Sequence, residues 1–119
     1  MKTASLALAA VILSVTSAAA QPSTLTGDVE RGRKIFMDVG CHQCHGTVGQ
    51  GGNAGLRLAP NPRSADFIAT YIRKPPLVMP PYTEAALGNQ AVADIHAYLA
   101  SIKPPPPISE IPLLKQLAP

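Results

Sequence analysis

Cys41-His42-Gln43-Cys44-His45 decides the reading of this chain. Its two cysteines stand three positions apart, on one turn of backbone, and they are the only cysteines among the 119 residues. Two thiols so placed can add to the two vinyl groups along one side of a haem, leaving thioether bonds. The histidine that follows is carried beneath the ring, where an imidazole nitrogen can bind the iron from the proximal face. C-x-x-C-H is the attachment signature of c-type haem. Few other chemistries need a thiol pair followed at once by an imidazole.

Three other readings compete. A thioredoxin-like C-x-x-C pair normally sits near a βαβ pattern, whereas Gly46-Thr47-Val48-Gly49-Gln50-Gly51-Gly52 follows here with no strand signal. A zinc site needs four ligands, usually as two separated pairs, and beyond the motif the chain offers only His96. A structural disulfide is the third reading, open to a protein of an oxidising compartment.

The N-terminus indicates such a compartment. Lys2 gives a short positive start, Leu6 to Val15 is apolar apart from Ser14, and Ser17-Ala18-Ala19-Ala20 supplies small residues. Residues 1–20 therefore read as a secretory signal peptide cleaved after about Ala20, with the periplasm as destination. As an uncleaved anchor the stretch is short and weak, and no other run could span a bilayer, so no stable membrane span is expected after cleavage. Cleavage leaves 99 residues, a single small domain near the size at which a core becomes hard to build. The remaining aromatics are few: Phe36, Phe67, Tyr71, Tyr82 and Tyr98. A buried porphyrin would supply much of the missing apolar core. Without Lys2, nine basic residues face seven acidic ones, and the basic ones are dispersed, which speaks against a nucleic-acid partner.

The pattern along the chain is all-α. Asp28 can cap a short helix carrying Val29, Arg31-Gly32, Ile35 and Phe36 and ending near Gly40. Gly32 inside a helix costs about 1 kcal/mol against alanine, which points to close approach of another element. Glycines from 46 to 55 and Pro60-Asn61-Pro62 mark an irregular segment. Ser64 can cap a second helix, Ala65 to Arg73, with Phe67, Ile68, Tyr71 and Ile72 on one face; Pro75-Pro76 stops it. Leu77 to Tyr82 reads as an extended loop containing Met79. Asn89 can cap the last helix, to about Ile102, with an apolar stripe of Ala91, Val92, Ile95, Tyr98, Leu99 and Ile102. No strand pattern and no repeat is visible. Residues 21–103 form the expected domain, and 104–119 differ in kind. Pro104 to Pro107 favours polyproline II, and Ile108, Ile111, Leu113, Leu114 and Leu117 follow in what reads as an extended strip. That strip either lies loosely on the protein or docks on a partner.

A second axial ligand is needed if the iron is to exchange electrons without binding substrate. Apart from the initiator, Met37 and Met79 are the only methionines. Met37 precedes Cys41 by four positions, on an element that passes beside the haem. Met79 follows His45 by 34 positions, in a proline-bounded loop long enough to reach the opposite face. Met79 is the expected ligand, and a Met/His pair raises the potential. His42, in a free position of the motif, and His96, beside the stripe of the last helix, read as solvated side chains.

At this point residues 27–102 resemble the class I c-type cytochromes. The resemblance rests on Gly32 and Phe36, Cys41 to His45, Met79-Pro80, and Ile95 with Tyr98-Leu99. It implies a cytochrome c-like fold of three to four short helices around one covalently bound haem c. The N- and C-terminal helices should cross at Gly32 with Phe36 and Tyr98 nearby. It also implies His45/Met79 axial ligation, Cys41 and Cys44 as thioether attachments, and Leu56 and Leu58 against the haem. Arg57, Arg63 and Tyr71 are candidates for a propionate contact. The family often carries Gly-Pro soon after the motif, its proline carbonyl accepting a hydrogen bond from the proximal histidine. Ala54-Gly55 stands there instead and the first proline is Pro60, which leaves the acceptor for His45 open.

The expected function is that of a periplasmic one-electron carrier with no catalysis of its own. Its expected donor is a periplasmic dehydrogenase, and its acceptor a terminal oxidase or another cytochrome. A dedicated cytochrome subunit of such a dehydrogenase is the alternative, and a gas-binding haem sensor with an open sixth position is a third reading.

Overall fold

Asp28 ends an extended entry and starts the first helix, its carboxylate accepting from the Arg31 amide at 2.7 Å, the arrangement that satisfies an otherwise orphaned donor. The structure is a computed structural model that describes residues 25–115. The expected signal peptide with its cleavage site, and the last four residues of the tail, lie outside the described residues. Helix α1 spans Val29–Asp38 and α2 spans Cys41–His45, so the motif itself forms a short helix. Helix α3 spans Ala65–Arg73, with Ser64 accepting from the Phe67 amide, and α4 spans Asn89–Ser101. A 3-10 turn at Ile108–Glu110 and a helix α5 at Pro112–Lys115 complete an all-helical chain, with no strand among the described residues. None of these helices is long and apolar enough to cross a membrane.

Helices α1 and α4 cross, as the position of Gly32 suggests. A Cβ on Gly32 would run into the backbone of α4 at the Asp94 carbonyl and the Ile95 amide. Beside the crossing, the rings of Phe36 and Tyr98 pack tilted at 57° with centroids 5.7 Å apart, a geometry that aromatic pairs favour. Phe36, Ile72, Leu87, Val92, Ile95 and Leu99 form the centre of the core. The Tyr98 hydroxyl leaves it to donate to the Thr47 carbonyl at 2.7 Å, tying α4 to the loop after α2.

Several expectations need correction. Gly88, not Asn89, is the N-cap of α4. The Asn89 side chain is drawn away to Glu84 and Arg73, so it does not cap its own helix. On α3 only Ile72 is buried and Ile68 packs on the core. Phe67 and Tyr71 are more exposed and stack on each other, centroids 5.8 Å apart. The tail is not wholly extended. Pro107 has polyproline-like angles (φ −59°, ψ 149°), but Pro112 opens α5 at a first helical position, where a missing N–H costs nothing.

Candidate functional site

Helix α2 places the motif. Cys41 is half-buried against the core and Cys44 is exposed; both thiols are free. Burial pushes the Cys41 thiol above its ordinary value. The Tyr82 phenol is also raised, first by burial and then by the neighbouring Cys41. Successive helical residues point about 100° apart, so His42 turns away from the face that exposes Gln43 and Cys44. The expectation of a solvated His42 is corrected: it is half-buried, and its Nδ1 is shielded without a hydrogen-bond partner. His96 is likewise half-buried rather than fully solvated. Among the described residues no cluster of three His, Cys or carboxylate side chains forms, so the ligand set a zinc site requires does not assemble.

His45 is held more firmly. Its Nδ1 lies 2.7 Å from the Leu56 carbonyl oxygen. A carbonyl can only accept, so Nδ1 carries a proton, and in the neutral ring that leaves the lone pair on Nε2, the form in which an imidazole binds a metal. This identifies the acceptor that the sequence left open. The loop bringing Leu56 there is tightly pinned. The Gly51 amide donates to the His45 carbonyl at 2.8 Å, and the amides of Leu58 and Ala59 donate to the Gly49 carbonyl at 2.8 and 2.9 Å. Gly55 must lack a side chain, because a Cβ there would sit 2.8 Å from His45 Nδ1 and 2.7 Å from the Cys44 carbonyl. The carbonyl beside the imidazole is thus that of Leu56, the residue after Gly55, and not that of a proline.

Met79 packs on the same cluster as Cys41, Leu58, Ile68 and Tyr82. Its loop is carried toward α2 by Tyr82, whose hydroxyl donates to the Val39 carbonyl at 2.8 Å, two residues before Cys41. Met37 also packs on the cluster, from α1. Of the basic and aromatic candidates, Arg63 lies over the Phe67 ring, 4.6 Å from its centroid. Arg57 lines a separate concavity of about 240 Å³ with Lys103 and Gln50, and Tyr71 stacks on Phe67. Leu58 packs on the core while Leu56 is 80% exposed.

Residues 27–99 match the family described as cytochrome c oxidase, cbb3-type, subunit III. The chain belongs to this family of c-type cytochromes. The match runs from just before α1 through the motif to the Tyr98-Leu99 pair of α4, and the 3-10 turn and α5 lie beyond it. No curated protein and no solved structure matches the chain. A c-type cytochrome carries covalently bound haem and works by haem-based electron transfer. The residues of this cytochrome fit that group: two free thiols on one helical turn, an imidazole of fixed tautomer beside them, and a thioether on the loop tied back to Val39.

Two groups escaped the sequence reading. Asp94 is buried at the α1/α4 crossing and paired with Arg31, although a carboxylate inside the apolar stripe of α4 was a visible signal. Arg73 holds the exit of the Met79 loop, donating to the Tyr82 carbonyl at 2.9 Å. A loop of prolines and aliphatics with no polar side chain was the sign that something outside it must hold it.

Proposed function

We propose that the protein is an exported, periplasmic electron carrier with one haem c attached through Cys41 and Cys44 and ligated by His45 and Met79. The observation that carries this reading is the Leu56 carbonyl on His45 Nδ1 beside two free thiols, because it leaves Nε2 as the nitrogen available to iron. Two cysteines suffice for one such attachment. The bound haem supplies the one-electron couple. The chain's residues set its surroundings. Leu56 orients the proximal imidazole. The Met79 thioether favours ferrous iron and so raises the potential. Leu58, Ile68 and the exposed Leu56 offer apolar surface for a porphyrin to cover. With His45 and Met79 both holding the iron, a bound haem would offer no place for a substrate on the metal. The carrier therefore exchanges electrons with proteins: a dehydrogenase as donor, and an oxidase or another cytochrome as acceptor.

A second reading has specific support. The family is named for an oxidase subunit, and the chain bears an exposed proline-rich tail, so a subunit role in a larger periplasmic redox enzyme, a dehydrogenase or an oxidase, is the alternative. Stable co-elution with an oxidoreductase from the native host would favour it. Tight carbon monoxide binding by the reduced protein would instead favour an open sixth site.

The ligand set has a direct test. The ferric protein should show the weak near-infrared sulfur-to-iron band, and Met79→Ala should abolish it. The same substitution should lower the midpoint potential by more than about 100 mV, within the roughly 0.8 V that axial ligation commands. A band that survives in Met79→Ala would exclude Met79 as ligand.

A further inference from the structure

We propose that Arg73 is the positioning residue that holds Met79 in place as iron ligand, acting through the carbonyls at the exit of the methionine loop. The inference rests on the reading of Met79 as the sixth ligand given above. Residues 75–81 run Pro-Pro-Leu-Val-Met-Pro-Pro. No side chain among them can make more than a weak hydrogen bond, and the four prolines have no N–H to give. Leu77 and Val78 are 96% and 89% exposed, so packing gives the tip of the arc almost no hold. Leu77 has φ +61°, a left-handed conformation that a leucine does not favour by itself. Apart from the packing of Met79 itself on the core, the course of the arc therefore depends on what fixes its two ends.

One end is the last turn of α3. The other is Tyr82, whose three polar groups are all engaged. Its amide donates to the Ile72 carbonyl at 2.8 Å, its hydroxyl donates to the Val39 carbonyl, and its own carbonyl accepts from Arg73 Nη1. Arg73 reaches further than this single contact. Nη1 also lies 3.4 Å from the Thr83 carbonyl, and Nη2 donates to Asn89 Oδ1 at 3.2 Å. One planar cation thus joins the end of α3, the loop exit and the first residue of α4. Met79 stands three residues before that junction. Hydrogen bonds from a charged donor are stronger than neutral ones. A lysine, as a point charge, cannot reproduce the fork.

Imidazole added to the ferric holoprotein competes with Met79 for the iron, so its apparent affinity reads how firmly the loop is held. Arg73→Met should bind imidazole roughly tenfold or more tightly than the parent, well below the unfolding temperature, because losing such contacts shifts the loop equilibrium by about that factor. It should also lose the near-infrared band at a temperature where the parent keeps it. Arg73→Lys should fall between the two. Asn89→Ala leaves Arg73 in place but removes one partner. It should shift the affinity in the same direction by a smaller factor, and it is the deciding variant should Arg73→Met fail to fold. An imidazole affinity unchanged in Arg73→Met, even with lower global stability, would overturn the positioning role while leaving Met79 as ligand. A parent that lacks the band and binds imidazole no more weakly than Met79→Ala would overturn the ligand assignment and this proposal with it.

Discussion

Asp94 is 1% exposed at the helix crossing, yet it is surrounded by donors. The Arg31 guanidinium binds both of its oxygens, with Nη2 2.9 Å from Oδ1. The Asp28 amide and Gln90 Nε2 reach Oδ1 at 2.9 and 3.0 Å. Its carboxyl is lowered from 3.8 to about 2, chiefly by the hydrogen bonds from Arg31. A folded-state value below the unfolded one means that the contribution is complete above about pH 4 and is lost as pH falls from there toward 2. At neutral pH, Asp94→Asn should cost about 1–3 kcal/mol, because buried donors lose a charged acceptor. Thermal midpoints of the two holoproteins should converge as pH drops from 4 to 2. Curves that stay parallel over that range would show that Asp94 does not titrate as described. At this scale the C-x-x-C-H pattern was legible as a pattern, because Cys41, Cys44 and His45 stand within the five residues of one short helix. The Arg31–Asp94 pair was not, since it requires the mutual register of two helices more than sixty residues apart. The Leu56 carbonyl was hidden for another reason: a backbone atom carries no residue type to read.

Among the elements, the capped helices were the easiest to read. Asp28 and Ser64 cap as their positions suggest, and Ala65–Arg73 has the expected bounds. Asn89 misled because its side chain had a stronger use, in the Arg73 and Glu84 contacts, than capping. The short α2 and α5 were missed as helices because four or five residues carry no periodic pattern. The α1/α4 crossing supplies its own test. Gly32 faces backbone rather than a side-chain end, so a methyl there can be accommodated only if the helices separate. Gly32→Ala should destabilise the holoprotein by about 1–3 kcal/mol, the usual cost of overpacking, even though alanine is the better helix former. A fall of several degrees in the thermal midpoint, with the haem spectrum unchanged below the transition, is the expected result. An unchanged or higher midpoint would mean that the helices do not touch at residue 32.

On the scale of the whole molecule, the tail behaves unlike the rest. Among the described residues, helix α5 touches no element other than the 3-10 turn before it, and Ile108 and Leu113 are 61% and 76% exposed. Residues 104–107 are exposed prolines, already stiff before any partner arrives. Large aliphatics presented on such a stem lose little conformational freedom on docking, and each contributes about 1.5–3 kcal/mol when fully buried, before ordering costs are subtracted. None of the candidate haem residues lies beyond position 103. Deleting residues 104–119 should therefore leave the haem spectrum and midpoint potential nearly unchanged and the thermal midpoint within a few degrees, while affinity for a redox partner from the native host falls. Stopped-flow electron transfer with that partner, set beside spectroelectrochemistry of the truncated protein, separates the two effects. If truncation instead moves the potential or markedly lowers the thermal midpoint while partner binding stays intact, the tail belongs to the cytochrome's own fold and its exposed aliphatics serve no docking.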